Sequence, residues 1–513
     1  MTRAPEIEIG PAAEAGADLV VAAAFIGETP GVDGLPRSIA EALGRLAARP
    51  GWRGADRQKL QTEAGSDGPV VALYGLGKRP ETNGRRVDEW VREALCDAAT
   101  LRASRVAVVV PPGSALATAG GERFGRLVAR GTYKFERFRN SGDEPPGRVE
   151  AVRLVLPEEA SAEESAVAAT VAGAVAFCRD LANAPANEAN PAWMDERAAE
   201  LAAEHGLAHS SLGRPELEAR GMGGILAVGA GSENEPRLVR LDYDGGGGPK
   251  IALVGKGVTF DTGGISIKPS ADMDEMKYDK SGACTVLALA RAVAELALPV
   301  RLAVYVPLAE NMPDGRSYRP GDIVRCYDGK TVEILNTDAE GRMILADALA
   351  LAAEESPDVL LEFSTLTGAS VIALGQDAAS LYTPDDALAG ALLGAAEGTG
   401  ERLWRMPLWP EFVERMKGDH ADLKNSSSRW GSANTAAAFL SRFVGGLERW
   451  AHLDIAGGAY VGRDGDEDPG ATGYGVAFTV AWLRGLLAAG GAAAPGARAE
   501  GPGAGPRAGS AGA

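Results

Sequence analysis

The sequence predicts an α/β protein made of two units, each a mainly parallel sheet flanked by helices. Three observations carry this. Short apolar runs alternate with helical patterns through the first 160 residues, and again between residues 193 and 487. At 513 residues the chain exceeds a single typical core. Its content of 45% hydrophobic and 24% charged residues is that of a globular protein.

In the first unit, residues 1–160, strands are expected at Asp18–Ile26, Val70–Tyr74 and Val106–Val110, with helices at Ser38–Ala48 and Val87–Leu101. A further strand, Ala151–Leu156, closes it. This unit carries no nucleophile, ligand cluster or phosphate loop. An acidic, alanine-rich stretch from Pro157 to about Leu181 reads as a connecting helix, broken by Asn183-Ala184-Pro185-Ala186-Asn187. Residues 161–192 therefore form a connecting helix and linker, with the boundary near 157–170. The second unit, 193–487, opens with a helix over Asp195–His205. Its strands include Leu238–Leu241, Ile251–Val254, Leu302–Val306 and Val359–Phe363. From 488 to 513 the chain is Gly, Ala, Pro and Arg, without the bulk to bury a core, so disorder is expected there.

Composition narrows the function. A net charge of −18 argues against a general nucleic-acid binder, which needs clustered Lys and Arg. Four scattered cysteines with no CxxC pair suit a reducing compartment and make neither a disulfide framework nor a zinc cluster. Four histidines, His205, His209, His420 and His452, provide no HExxH helix. No uncharged apolar run reaches the roughly 18 residues of a membrane span, and the N-terminus lacks a signal-peptide core. The expected location is the cytoplasm.

The densest chemistry lies in Asn336-Thr337-Asp338-Ala339-Glu340-Gly341-Arg342. Val332–Leu335 before it reads as a short buried strand, and Met343–Leu349 after it reads as a helix. Thr337 and Glu340 have the spacing of a helix capping box, so a purely structural role competes with a functional one. A second cluster, Gly255-Lys256-Gly257-Val258-Thr259-Phe260-Asp261-Thr262-Gly263-Gly264, follows a strand. It is not a phosphate loop: Lys250 stands five residues before Gly255, and Gly257 follows the lysine. It leaves a lysine and an aspartate on a glycine-rich turn, where backbone can approach an ion closely. Asp261, Asp279, Asp338 and Glu340 all fall at element ends of one unit, with Lys256, Lys268 and Arg342 among them. Converging carboxylates repel unless a cation neutralises them, and two divalent ions sharing carboxylates are one solution. Oxygen ligands admit Mg, Mn or Zn.

These residues resemble the leucyl aminopeptidase (cytosol aminopeptidase) family. The resemblance extends to Ile267-Lys268-Pro269-Ser270, Met276-Lys277-Tyr278-Asp279, Glu310-Asn311-Met312-Pro313, Pro320-Gly321-Asp322 and Thr365-Leu366-Thr367-Gly368-Ala369, in consistent order from about Arg179 to Leu483. It implies an N-terminal macro-like α/β domain and a larger catalytic α/β domain with a mixed, mainly parallel sheet. It also implies that Lys256, Asp261, Asp279, Asp338 and Glu340 bind two divalent metals, Mn or Zn, with Asp261 and Glu340 bridging. Lys268 would polarise the scissile carbonyl, and Arg342 would hold a bicarbonate that serves as general base. One metal would bind the substrate's free α-amine, making the enzyme an exopeptidase. Met276, Thr365 and Gly368 would line the pocket for an apolar first residue such as leucine. Peptide substrates, a homohexamer and intracellular protein turnover follow from the same resemblance.

The chain departs from the family at Lys280, where Met is more usual beside the ligand Asp279, and in the Arg429–Asn434 loop. His420 and His452 read as structural or supporting residues, since no ligand spacing joins them. A non-catalytic scaffold or DNA-binding regulator on the same fold is the competing reading. The intact ligand set and the charge of −18 argue against it. A phosphoesterase is disfavoured by the extent of the ordered match.

Overall fold

Six strands form the first sheet: β1 (Glu6–Gly10), β2 (Leu19–Ala24), β3 (Lys59–Glu63), β4 (Val70–Gly75), β5 (Arg105–Val109) and β6 (Ala151–Val155). The computed structural model describes residues 2–10, 16–66, 68–79, 85–140, 147–156, 162–462 and 469–490. Their lateral order is β1-β6-β5-β2-β4-β3, and every pairing but β3 with β4 is parallel. All six residues of β2 are buried, as a central parallel strand covered on both faces requires. Ile39, Leu43 and Leu46 of α1 (Arg37–Ala47) pack on one face, against Val20, Ala22, Val71 and Leu73. The other face is covered by α2 (Arg85–Thr100) and α3 (Gly121–Thr132). The edge strands β1 and β3 escape the sequence reading because both alternate apolar with charged or polar residues and are only half covered.

Next come α4 (Ala162–Asn183) and α5 (Pro191–His205), the latter with Asn190 as N-cap and Gly206 closing it in a left-handed turn. The second sheet then begins: β7 (Ala208–Leu212), α6 (Arg214–Arg220), α7 (Gly223–Val228), β8 (Arg237–Asp244), β9 (Lys250–Gly255), β10 (Gly257–Asp261), α8 (Ser281–Glu295) and β11 (Arg301–Asn311). A side sheet supplies β12 (Ile323–Arg325) and β13 (Thr331–Glu333), leading into α9 (Gly341–Glu354) and β14 (Val359–Ser364). The chain continues through α10 (Gly368–Leu374), β15 (Ala379–Tyr382), α11 (Asp386–Thr399), β16 (Leu403–Arg405), α12 (Pro410–Glu414), β17 (Leu423–Lys424) and α13 (Ser432–Leu440). It ends with β18 (Trp450–Asp454), the short pair β19 (Tyr460–Val461) and β20 (Gly470–Ala471), and α14 (Val476–Ala488). The expected tail falls outside the described residues from 491 onward.

The main sheet runs β16-β15-β18-β14-β9-β11-β8-β7, with β10 also beside β11. Its central pairs are parallel, and β15–β18, β11–β8 and β8–β7 are antiparallel. The sheet is mixed and mainly parallel, as expected.

One expectation changes. The Gly255–Gly264 stretch is not a simple glycine-rich turn, because β9 and β10 run along β11 in a single offset, Val254 opposite Tyr305 and Gly257 opposite Leu308. Lys256 sits at the break between them. Its N–H donates to Phe363 O (3.0 Å), and its carbonyl accepts from Ala283 N at the start of α8 (2.8 Å). A register shift then carries Asp261 to the strand end.

Among the described residues, α4 alone is long and apolar enough to cross a membrane by length and composition, yet most of it is buried against α3 and α8. One contiguous core passes from Trp90 and Phe124 through Val171 and Val175 of α4 to Leu253 and Ala288. Polar contacts reinforce that junction. Arg126 donates to Thr399 O at the end of α11 (2.9 Å), and Arg484 of α14 pairs with Glu122 (2.6 Å) and Glu164 (2.8 Å).

Candidate metal centre

Three neighbouring segments deliver four carboxylates to one point. Asp261 ends β10, Asp279 lies in the tight 3-10 turn Met273–Lys280 before α8, and Asp338 and Glu340 occupy the loop entering α9. Carboxylate oxygens of Asp261, Asp338 and Glu340 all lie within 4.8 Å of one another. Lys256 joins the fourth, its Nζ 2.7 Å from Asp279 Oδ1 and 2.8 Å from Glu340 Oε1. Lys268 reaches in from the more open side, 2.7 Å from Asp261 Oδ2 and in contact with Asp338. The five expected metal-binding residues and Lys268 thus meet in one cluster.

Backbone geometry makes room for it. Gly341 opens α9 where any Cβ would collide with the Lys256 side chain. Gly264, at φ +66°, lies where a Cβ would come within 2.7 Å of Asn311 Oδ1.

The capping-box reading of Asn336–Arg342 does not hold. Glu340 has helical backbone angles at the N-cap of α9, with no side-chain cap bond. The Thr337 hydroxyl instead donates to Gly263 O (2.6 Å) and accepts from Ser266 N (2.8 Å). It fastens the α9 loop to the loop after β10, and so aligns Asp338 and Glu340 with Asp261.

The electrostatics are those of a cation site. Burial, then the neighbouring Glu340 carboxylate, pushes Asp261 up to about 6. Burial drives Asp279 well above the carboxylate range although Lys256 opposes it, and raises Asp338 with help from Glu340. Glu340 is buried too, but Lys256 and Lys268 hold it below its ordinary value. Lys256 is buried and Lys268 half-buried, and the surrounding carboxylates keep their ammonium forms. Asp279 Oδ2 is buried with no hydrogen-bond partner. Hard oxygen donors, an orphaned buried carboxylate oxygen and an amine that gives up its proton beside a dication together fit divalent metal binding.

Arg342 follows in the first turn of α9, buried, with one guanidinium nitrogen donating to Asn425 O (2.7 Å). Its Nε is buried and unpartnered, and burial lowers the guanidinium to about 10. Of the pocket candidates, Met276 is half-buried in the 3-10 turn, and Gly368 opens α10 with free space where a Cβ would stand. Thr365 is committed elsewhere: its hydroxyl donates to Asp279 Oδ1 (2.7 Å). Lys280 is fully buried, and burial lowers its amine to about 8.

Sequence reasoning missed the residues that aim the carboxylates. Asn311 Nδ2 donates to Asp261 Oδ1 (2.8 Å) and to Thr337 O (3.1 Å), and Tyr318 Oη donates to Thr337 O (2.8 Å). Asn311 stood in a recognised motif without a role, and nothing local signals its partner. His452 is buried beside Glu362, bonded to it and stacked on Tyr382 at 5.5 Å, away from the carboxylate cluster. His420 is exposed.

Residues 176–480 match the family model described as "Cytosol aminopeptidase family, catalytic domain". A "Probable cytosol aminopeptidase" of Roseiflexus castenholzii is 42% identical over 452 residues, covering 84% of this chain and 91% of that protein. One from Geobacter sulfurreducens is 44% identical, covering 81% and 84% respectively. Among solved structures, "Bottromycin maturation enzyme BotP in complex with Mn" superposes with a TM-score of 0.79 at 34% identity, covering 92% of this chain and all of that one.

Proposed function

This chain belongs to the cytosol aminopeptidase family, and on that premise we propose that it releases N-terminal leucine and other apolar residues from peptides in intracellular protein turnover. The coarser activity, a metal-dependent aminopeptidase and hydrolase, is that of the family. The observation that supports the metal-dependent chemistry is the convergence of Lys256, Asp261, Asp279, Asp338 and Glu340 on one largely buried point.

Lys256, Asp261, Asp279, Asp338 and Glu340 would hold divalent ions, Mn or Zn, and such ions would supply the charge that activates water and polarises the peptide carbonyl. The Mn in the complex of the BotP relative supports a divalent ion of this kind. Lys268, the more exposed of the two lysines, extends from the rim of the cluster and donates a hydrogen bond to the oxyanion as the carbonyl carbon becomes tetrahedral. Arg342 would hold a bicarbonate, which would supply a general base toward water; its buried, unpartnered Nε supports an anion there. Asn311 and Thr365 keep the Asp261 and Asp279 carboxylates in orientation through the reaction. Met276 and the open space at Gly368 receive an apolar first side chain.

A cytoplasmic homohexamer completes the proposal. Trp404, Trp409, Trp430 and Ile372 are 60% or more exposed, which supports burial between subunits. Light scattering of the purified protein measures the mass.

The deciding experiment is hydrolysis of leucine p-nitroanilide by purified protein across divalent metals. Activity with Mn or Zn, abolished by a chelator, is expected. A folded protein inactive in every metal overturns the reading.

A further inference from the structure

Lys280 takes no part in the chemistry above, yet it is among the largest fully buried side chains of the molecule. Its ammonium donates to three main-chain carbonyls: Ala184 O at 2.9 Å, Ala182 O at 3.2 Å and Lys277 O at 2.5 Å. An apolar side chain of the same length fills such a space without the cost of desolvating a charge. The role of the charge therefore lies in what it holds.

It holds two structures together. Ala182 and Ala184 flank Asn183, the last residue of α4, where carbonyls run out of intrahelical partners and the helix end carries partial negative charge. Lys277 belongs to the turn Met273–Lys280, so the bond to its carbonyl closes that turn on itself. The same turn carries Met276 and Asp279.

The far side of the α4 end is gripped from the first sheet's layer. Tyr133, directly after α3, donates its hydroxyl to Asp180 Oδ1 (2.8 Å) and accepts from Asn183 Nδ2 (3.2 Å). A continuous set of bonds thus runs from Tyr133 through the last turn of α4 to Lys280, and Lys280 is covalently next to Asp279.

We propose that Lys280 is a positioning residue, fastening the turn that bears Asp279 and Met276 to the end of α4, so that the seat of α4 between the two sheets sets the metal-binding geometry. The proposal rests on Asp279 being a metal ligand.

Calorimetric titration of the full-length, metal-stripped protein with MnCl2, alongside leucine p-nitroanilide kinetics, tests it. Lys280→Met should weaken the ion that depends on Asp279 by about 10- to 100-fold, the range seen when a ligand's support is lost. KM should rise in the same variant through Met276. Tyr133→Phe, remote from the cluster, should weaken the same ion by a smaller factor. A merely structural role lowers the melting temperature and leaves Mn affinity at the wild-type value in both variants, which overturns the proposal. Where Lys280→Met fails to fold, Tyr133→Phe alone is read by the same criterion. Asp279→Asn separates the two levels of argument. If that variant binds Mn as the wild type does, the ligand assignment falls. If it loses an ion while the Lys280 and Tyr133 variants bind normally, only the positioning role falls.

Discussion

The Nζ of Lys256 lies 2.8 Å from Oε1 of Glu340, and both side chains are sealed from solvent. In the metal-free chain this ammonium neutralises the carboxylates that otherwise repel one another. Lys256→Met leaves Asp279 and Glu340 without their counter-charge. Breaking a buried pair from one side costs about 3–5 kcal/mol, so the metal-free variant should melt well below wild type. Added Mn should recover part of that loss, measured as melting temperature with and without the ion.

Glu340 and Lys268 separate metal binding from rate. Glu340→Ala should lose the metal and the activity together, because this carboxylate pairs with Lys256 and is itself one of the three clustered carboxylates. Lys268→Ala should retain the metal and lose about a hundred- to a thousandfold in kcat, the scale of removing one oxyanion donor. Metal content by elemental analysis beside kcat distinguishes them. A Lys268 variant at full rate would contradict the assigned role.

Arg342 should govern bicarbonate dependence. The wild-type rate is expected to rise with added bicarbonate in degassed buffer, while Arg342→Met should show a lower rate that bicarbonate does not restore. The loss should be on the order of 10²–10⁴, the usual contribution of a positioned base. An equal bicarbonate response in both proteins would remove the anion from the mechanism.

Gly368 tests the pocket without disturbing the fold, since a Cβ there meets nothing within 4 Å. Gly368→Val should fold normally, raise KM for leucine p-nitroanilide, and affect alanine p-nitroanilide less. A uniform effect on both substrates would place the pocket elsewhere.

Asp347 introduces a pH dependence from outside the carboxylate cluster. It is fully buried in α9 and accepts from Ile225 N (2.9 Å) and Tyr327 N (2.8 Å); burial pushes its carboxyl from 3.8 up to about 7. With the folded value raised, its contribution is fully present below the unfolded value and is lost as pH rises through about 7. The shift amounts to roughly 4 kcal/mol at the upper limit, at about 1.4 kcal/mol per unit. Denaturant titrations should show wild type losing stability between about pH 4 and 7, and Asp347→Asn losing less across the same interval.

Much of this molecule is legible in its sequence. The apolar runs of β2, β4, β9 and β14 are covered on both faces, so composition alone marks them. The meeting of Asp261, Asp338 and Glu340 with Lys256 was expected from the family resemblance, and carboxylates and lysines at element ends were its visible pattern. Four features were not readable, each for a physical reason. Thr337 has the spacing of a cap, but its hydroxyl bonds across space to Gly263 and Ser266 instead of to its own helix. In β10 the glycines imitate a turn, and only the pairing with β11 makes it a strand. Asn311 and Thr365 find Asp261 and Asp279 through tertiary contacts that no local pattern encodes. The α3 helix hides its signal too, because Arg123 and Arg126 are buried in ion pairs with Asp88.

The core that runs unbroken from Trp90 through α4 to Ala288 makes the two sheets thermodynamically a single body. Among the described residues, none of the first 160 belongs to the carboxylate cluster, yet they share one core with the residues that do. A cavity opened under α2 or α3 lowers the temperature at which the metal site itself comes apart. Packing remote from the carboxylate cluster thus contributes to how much heat that cluster withstands.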